Sequence, residues 1–362
     1  MILSSFFRVT SIAFSLVLPL TAAFAVSPPP VEGKRGMVVS DQALASAAGA
    51  EILRKGGNAI DAAVAVGYAQ AVVNPCCGNL GGGGFMLIRL ADGKAIFIDF
   101  REKAPAAATP DMYLDAAGEV VKDASLNGWK AAGVPGTVMG LEQALAKYGS
   151  MPRAEVMAPA IRLAQEGYVV APGDSAILSA GAKAFARIPA LAAIFLKDDA
   201  ALSAGSRLVQ TDLAATLQAI AKDGAAAFYT GPLAKQLAEA SKAGGGLITE
   251  ADLAAYTAPE REPVRCTYRG YDILSAPPPS SGGTAVCEIL NVLEAWPLGY
   301  LGADSSDTIH LLTEAMRHAF VDRNSALGDP DFVKNPVEKL TSKAYAASIR
   351  ATIDRDLSLI HI

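Results

Sequence analysis

The sequence predicts a layered α/β fold rather than a doubly wound parallel sheet. Two helices come first, an antiparallel hairpin follows them, and most of the later segments have helical spacing. The hairpin strands are apolar on both faces, which favours a central sheet covered on each side. The chain has 362 residues, of which 51% are hydrophobic and 19% charged. It is therefore long and apolar enough to bury a core without a metal or a disulfide.

Capping residues, glycines and prolines mark the predicted elements in the first hundred residues. These elements are a short strand at 36–39, a helix from Ser40 or Asp41 to about Lys55, and a second helix from near Asn58 to Pro75. A glycine run at 78–84 follows, and then a hairpin with strands at 85–90 and 95–101 around an Asp92-Gly93 turn.

The rest of the chain is predicted to be mainly helical. Helical spacing occurs at 137–147, 153–166, 212–223 and 232–242, and again at 284–295 and 307–324. Residues 265–276 have the pattern of a strand pair or of one long strand. The segment 277–283 contains three prolines, two serines and two glycines, and this composition predicts a loop.

The N-terminus is typical of a signal peptide. Arg8 precedes an apolar run at 12–24, and small residues at Ala23 and Ala25 fit the positions that a signal peptidase reads. The run is shorter than a membrane-spanning helix and is interrupted by Pro19. We therefore expect a signal peptide at 1–25, export to the periplasm or the medium, and no membrane association of the mature chain.

Charge and cysteine content limit the classes of partner. The chain has 31 Lys and Arg against 36 Asp and Glu, a net charge of -5, and no basic cluster interleaved with aromatics, so no nucleic-acid partner is expected. The four cysteines form no C-x-x-C pair that would indicate zinc or redox chemistry. We expect small buried hydrophobes, with a Cys266–Cys287 disulfide as the alternative in an oxidising compartment.

The glycine run at 78–84 does not have the context of a phosphate loop. Such a loop follows a strand and opens a helix, whereas this run follows a helix and opens a strand. A structural tight turn and a backbone wall of a small-molecule pocket both remain open.

Arg101 is the one candidate binding residue, and it has two interpretations. On a strand its side chain shares a face with that of Asp99, so the two could form an internal ion pair. Alternatively, its guanidinium binds a substrate carboxylate through two hydrogen bonds.

Searches for a nucleophile give no candidate. The sequence contains neither G-x-S-x-G nor H-E-x-x-H, and its three histidines are His310, His318 and His361. The first two are expected on an ordinary helix surface. The segment 329–331 is expected to be a plain turn rather than a calcium site, and no metal or cofactor is predicted.

Seven segments, in order along nearly the whole mature chain, together resemble the gamma-glutamyltransferase family. They are GGNAIDAA at 56–63, GGGGFM at 81–86, DFREKAP at 99–105, GVPGT at 133–137, GLIT at 246–249, PPPSSGG at 277–283 and LGDPDF at 327–332. The region at 26–356 is accordingly similar to the family's large subunit.

The resemblance implies an N-terminal-nucleophile hydrolase fold, a four-layer αββα sandwich that is incomplete without the small subunit. It also implies a zymogen that cleaves itself and frees an N-terminal threonine on the small subunit. That threonine would form a gamma-glutamyl-enzyme from glutathione or a related compound, and water, an amino acid or a dipeptide would resolve it. The α-amino group, with a pKa of about 7.7 to 8.0, can serve as the base.

By the same resemblance, Arg101 matches the arginine that holds the α-carboxylate of the gamma-glutamyl group. The tail at 357–362 departs from the family pattern, which suggests a truncation, and the catalytic threonine is expected downstream of Ile362. The chain alone is thus predicted to be inactive and prone to aggregation. Alternatives are a cephalosporin (glutaryl) acylase, a poly-gamma-glutamate depolymerase, or a catalytically inactive glutamate-binding remnant.

Overall fold

A computed structural model of the chain describes residues 30–358. Residues 30–37 contain no helix or strand, and the elements below all belong to a separate unit at 38–358. The predicted signal peptide at 1–25 lies outside the described residues. Within the described part, no helix combines the length and the apolar character that crossing a bilayer requires.

The elements of this unit are numbered in chain order. The helices are α1 Ala43–Arg54, α2 Ala59–Val73, α3 Thr137–Tyr148, α4 Arg153–Glu166, α5 Pro172–Phe185, α6 Pro189–Phe195, α7 Thr211–Asp223, α8 Ala225–Tyr229, α9 Pro232–Ala243, α10 Glu250–Ala255, α11 Gly282–Leu293, α12 Leu298–Leu301, α13 Ser306–Ala326, α14 Val337–Leu340 and α15 Lys343–Arg350. The strands are β1 Gly84–Arg89, β2 Ala95–Phe100, β3 Tyr168–Val169, β4 Leu196–Lys197, β5 Ala200–Ala201, β6 Arg207–Leu208, β7 Glu260–Arg261, β8 Val264–Tyr268 and β9 Tyr271–Ser275.

The first helix pair confirms the predicted boundaries at the α1–α2 junction. Gly56, with φ of 95°, follows the end of α1 in a conformation that glycine adopts without strain. Asn58 caps α2 by accepting hydrogen bonds from the backbone N–H groups of Ile60 and Asp61, and Asp61 accepts one from the Asn58 N–H in return. Reciprocal bonds of this kind satisfy backbone donors that a helix start otherwise leaves unpaired.

Two predictions at the start of the unit are wrong. Gln42, rather than Ser40 or Asp41, occupies the N-cap of α1, because the Asp41 carboxylate instead accepts hydrogen bonds from the side chains of Gln70 and Asn74. No strand forms at 36–39, since no described segment pairs with it and Val39 remains 79% exposed.

A three-stranded antiparallel sheet in the order β1–β2–β7 lies at the centre of the unit. β1 and β2 form the predicted hairpin, with Gly84 opposite Phe100 and Arg89 opposite Ala95. Every residue of β2 is buried, which confirms the expectation of cover on both faces. β1 contradicts that expectation, because Phe85 and Leu87 on one of its faces are 37% and 41% exposed.

The buried side chains form two clusters. The larger cluster extends from α1 through the sheet to α10, and the smaller one joins α11, α13 and α15 through Val292, Leu311 and Ile349. Residues 265–276 form the strand-pair alternative of the prediction, as the hairpin β8–β9. Cys266 of this hairpin is linked to Cys287 of α11, so the disulfide alternative is confirmed for that pair. Cys76 and Cys77 are also joined to each other.

Candidate functional site

A cleft of about 270 Å³ lies where the end of β2 meets the start of α11 and the end of α13. Its polar lining consists of Arg101, Ser280, Ser281, Arg323 and Asn324. Residues from the predicted loop at 277–283 and from the segment at 327–328 complete the wall. Three of the seven sequence motifs therefore meet at one cleft.

Arg101 is the first residue after β2, and its backbone is held on both sides. Its N–H donates to Asp99 Oδ1 over 3.2 Å, and its carbonyl oxygen accepts a hydrogen bond from the Tyr256 hydroxyl over 2.7 Å. The Tyr256 ring stacks on that of Tyr229, with 5.7 Å between the ring centroids. The backbone is thus fixed while the Arg101 side chain remains exposed at the cleft.

The predicted ion pair between Asp99 and Arg101 is not formed. Asp99 is 5% exposed, and its Oδ2 accepts a hydrogen bond from Arg261 Nε over 2.8 Å. Pairing of β7 with β2 brings Arg261 beside Asp99, whereas Arg101 has already left the strand. Arg261 also binds Asp331 across 3.2 Å.

Two opposing effects act on the pKa of Arg261. Burial lowers it, but hydrogen bonds to Asp99 and Asp331 outweigh burial and leave the pKa above its ordinary value. The carboxylates of Asp99 and Asp331 therefore both have Arg261 as a partner. Among the described residues, no carboxylate forms an ion pair with the Arg101 guanidinium.

The glycine run supports the end of β2 by close packing. A Cβ atom at Gly83 would lie 2.6 Å from the Phe100 carbonyl oxygen, so only glycine fits there. The Gly82 carbonyl oxygen accepts hydrogen bonds from the N–H groups of Gly136 and Thr137, which connects two motifs. Gly81 and Gly82 line a separate cleft of about 420 Å³, not that of Arg101.

Arg323 and Asn324 were not singled out from the sequence. Arg323 Nε donates to Ser281 Oγ over 2.9 Å, and its Nη1 donates to Asn324 Oδ1 over 2.7 Å. The sequence feature that could have identified them is their position a few residues before the LGDPDF motif. Within that motif, Asp331 donates its N–H to Asp329 Oδ1, which confirms the predicted turn.

An acidic pair, buried Glu288 and half-buried Asp322, connects the two helices that meet at the cleft. Glu288 of α11 is 1% exposed, and burial together with a hydrogen bond to Asp322 of α13 raises the pKa of Glu288 to about 8. The Tyr345 hydroxyl donates to Asp322 Oδ2 over 2.7 Å. A neutral Glu288 can donate its proton to Asp322 in a hydrogen bond, which avoids a buried negative charge beside a second carboxylate.

The histidines lie elsewhere. His310 and His318 are half-buried on α13. His310 Nε2 lies 2.8 Å from the Asp354 carbonyl oxygen, and His318 Nε2 lies 3.4 Å from Thr352 Oγ1. His361 lies outside the described residues. Across 30–358, no group of His, Cys, Asp and Glu is arranged to hold a metal ion.

The family model described as gamma-glutamyltranspeptidase matches residues 45–360. The chain is 54% identical over 344 residues to a glutathione hydrolase proenzyme of Pseudomonas sp. (strain A14), covering 95% of this chain and 60% of that protein. It is 47% identical over 345 residues to the acylase ACY 1 proenzyme of Pseudomonas sp. (strain SE83), covering 94% and 62%. The chain thus spans about three fifths of the length of these curated relatives.

Among solved structures, the gamma-glutamyltranspeptidase of Helicobacter pylori superposes with a TM-score of 0.89 at 46% identity. The match covers 91% of this chain and 95% of the solved chain.

Proposed function

Because the chain belongs to the gamma-glutamyltranspeptidase family, we propose that it is the larger part of an exported glutathione hydrolase precursor. In this proposal, Arg101 binds the α-carboxylate of the gamma-glutamyl donor. The observation that carries it is that Arg101 lines a cleft and, within residues 30–358, forms no ion pair with a carboxylate, since neighbouring Asp99 is bound by Arg261.

The position of Arg101 suits carboxylate binding. Its backbone is fixed through Asp99 and Tyr256, so the guanidinium can meet a ligand with little loss of backbone freedom. A guanidinium offers two parallel donors to a carboxylate, and this geometry fixes the orientation of the bound group. The donor's gamma-amide would then extend out of the cleft towards a nucleophile.

The nucleophile is proposed to be an N-terminal threonine in the part of the precursor that this chain does not span. Its hydroxyl oxygen would attack the gamma-carbonyl carbon while its own α-amino group accepts the hydroxyl proton. The C–N bond then breaks, the amine leaves with that proton, and a gamma-glutamyl ester remains. Water or an acceptor amine attacks the ester and restores the hydroxyl.

The extent of the matches supports a two-chain enzyme. The chain covers about three fifths of the curated proenzymes but 95% of the solved Helicobacter pylori chain. Its sheet also leaves one edge of β1 without a partner strand among the described residues, and Phe85 and Leu87 are exposed beside it. We propose that the rest of the precursor covers this edge.

A glutaryl-amide acylase is the second candidate. The 47% identity to an acylase proenzyme supports it, but less well than the 54% identity to a glutathione hydrolase proenzyme supports the first. A glutaryl group differs from a gamma-glutamyl group only in lacking the α-amine, so both present the same carboxylate to Arg101. No carboxylate lines the cleft among the described residues. The group that recognises the α-amine is therefore proposed to come from the remainder of the precursor.

The test uses the complete precursor, meaning this chain continued by the part of the family polypeptide that it does not span. Arg101→Gln is expected to raise KM for a gamma-glutamyl anilide about 10- to 150-fold, which corresponds to a charged hydrogen bond of about 1.5 to 3 kcal/mol. Arg187→Gln, at an exposed arginine that follows α5 and does not line the cleft, is the control and should leave KM unchanged. An unchanged KM in Arg101→Gln would refute the assignment.

A glutaryl anilide assayed in parallel distinguishes the two candidates. A glutathione hydrolase should turn over the gamma-glutamyl anilide with the higher kcat/KM, and an acylase should prefer the glutaryl anilide. The chain alone should hydrolyse neither compound, and turnover by the purified chain would contradict the proposed location of the nucleophile.

A further inference from the structure

Two guanidinium groups line the same small cleft, those of Arg101 and Arg323. No acidic residue is among the described residues that line it. Both arginines are exposed, so water weakens the repulsion between their like charges without removing it. An arrangement of this kind is stabilised when an anion binds between the two groups.

The partners of Arg323 orient its guanidinium without neutralising it. Ser281 Oγ and Asn324 Oδ1, the acceptors of its hydrogen bonds, are both uncharged. Arg261 and Arg162, by contrast, are paired with carboxylates at 2.8 Å and 2.7 Å. Arg323 therefore retains its full charge at the cleft, in an orientation fixed by the neighbouring helix.

The position of Arg323 in the last turn of α13 also has a simpler explanation. A cation there interacts favourably with the helix dipole, by about 0.3 to 1 kcal/mol. That interaction does not explain the hydrogen bond to Ser281, which belongs to the N-terminus of α11 rather than to α13. The contact between the helices directs the side chain to the cleft.

We propose that Arg323 is a second substrate-binding residue that binds the same α-carboxylate as Arg101, so that the two form a carboxylate clamp. This inference rests on the proposed function. A cleft of about 270 Å³ lies just below the usual range for ligand pockets, about 300 to 1,000 Å³, and so suits one end of a gamma-glutamyl compound rather than the whole molecule. The α-carboxylate is the one negative group that every gamma-glutamyl donor carries, so it is the group expected between the two arginines.

The test compares two substrates in the complete precursor: a gamma-glutamyl anilide, and the same compound with its α-carboxylate converted to an uncharged carboxamide. Neither has a second carboxylate. Arg323→Gln is expected to raise KM for the acid about 10- to 150-fold, as loss of a charged hydrogen bond predicts, and to leave KM for the carboxamide and both kcat values nearly unchanged. Arg323→Lys keeps the charge and should recover part of the affinity for the acid.

Two further variants keep the test decisive if Arg323→Gln folds poorly. Ser281→Ala removes one of the two acceptors that orient Arg323, together with a hydroxyl of the cleft lining, and should produce a smaller rise in KM for the acid alone. Ser325→Ala is the matched control, since Ser325 is exposed on the same turn of α13 and does not line the cleft.

The outcomes separate this inference from the proposed function. If Arg323→Gln raises KM equally for acid and carboxamide, or for neither, Arg323 does not bind the carboxylate and the clamp is wrong. Suppose that the clamp is wrong in this way, but that Arg101→Gln no longer has a lower KM for the acid than for the carboxamide. The proposed function then stands without the clamp. If Arg101→Gln itself keeps the full preference for the acid, the proposed role of Arg101 is wrong.

Discussion

Arg261 Nε donates a hydrogen bond to Asp99 Oδ2 over 2.8 Å, and in the part of the chain that the structure describes this pairing leaves Arg101, at the end of β2, without a carboxylate partner. Asp99 is nearly fully buried and lies two residues before Arg101. Without Arg261, the Asp99 carboxylate would be left with the Arg101 N–H as its remaining hydrogen-bond donor. We therefore expect this pair to affect both the stability of the fold and the proposed binding by Arg101.

Arg261→Gln is expected to lower the free energy of unfolding. Removing one partner of a buried pair costs about 3 to 5 kcal/mol, and the low end applies because the Arg261 side chain is 18% exposed. The measurement is urea unfolding. Lys147→Gln is the control, since the Lys147–Glu260 pair adjoins the same strand but is half-exposed and should contribute less than about 1 kcal/mol. Equal losses in the two variants would argue against a special role for Arg261.

Arg261→Gln also provides a kinetic prediction in the complete precursor. The Asp99 carboxylate, once released, becomes a competitor for the Arg101 guanidinium, so KM for a gamma-glutamyl anilide should rise. Asp99→Asn combined with Arg261→Gln removes the competing charge and should bring KM back towards that of the parent. A double variant with KM as high as the single variant would contradict the competition.

Tyr256→Phe tests how Arg101 is positioned. The variant keeps the ring that stacks on Tyr229 but loses the hydroxyl that donates to the Arg101 carbonyl oxygen over 2.7 Å. The loss of one such hydrogen bond is expected to cost about 0.5 to 1.5 kcal/mol of stability and to raise KM with little change in kcat. Tyr148→Phe, whose hydroxyl binds Glu260 at the surface, is the control for KM. A changed kcat with constant KM would instead indicate a role in the chemical step.

Local sequence signals predicted most helices and the main hairpin of the fold. Asn58 and Asp61 mark the start of α2 because their side chains satisfy nearby backbone donors, and Gly56 marks the end of α1 because it adopts a positive φ. Each of these signals involves residues at most four positions apart, so it can be recognised from the sequence without knowing the tertiary structure. The likeness to solved structures also confirms the N-terminal-nucleophile hydrolase class that the motifs implied.

The partners within the site could not be predicted in the same way. Arg261 and Asp99 are separated by 162 residues, and the strand that places Arg261 has only two residues, too few for a periodic pattern. The prediction that Asp99 and Arg101 share a face assumed that β2 continues through Arg101. The strand ends at Phe100, so the alternation does not extend to Arg101. Arg323 meets Ser281 only because α11 and α13 pack together, which is a tertiary event.

The Cys266–Cys287 disulfide is expected to stabilise the hairpin against α11. It closes a loop across a sequence separation of 21, for which the chain-entropy relation gives about 3 kcal/mol. Replacing both cysteines with alanine should lower the free energy of unfolding by about that amount in urea. The matched control is the double alanine variant at Cys76 and Cys77, because a disulfide between adjacent residues closes only a small ring and constrains no longer stretch of the unfolded chain. A similar loss in both variants would show that the loop is not the cause.

Glu288 is expected to make stability fall as pH rises. Burial and the hydrogen bond to Asp322 raise the pKa of Glu288 to about 8 in the folded protein, whereas the unfolded chain has the ordinary value near 4.5. Between these values the unfolded state has lost its proton and the folded state has kept it. The free energy of unfolding therefore decreases with pH by up to about 1.4 kcal/mol per unit, and the decrease ends above about pH 8.

Glu288→Gln should remove this dependence, because an amide keeps the uncharged, hydrogen-bonding character at every pH. Urea unfolding at several pH values from 5 to 8 measures it, and the variant should gain stability over the parent as pH rises. Glu294→Gln, on the exposed end of the same helix, is the control. Hydrogen bonds from Arg269 and Lys343 lower the pKa of Glu294. Its contribution to the free energy of unfolding is therefore lost only in acid, and it does not make that free energy depend on pH between 5 and 8. Parallel curves for the parent and Glu288→Gln would show that Glu288 does not retain its proton in the folded state.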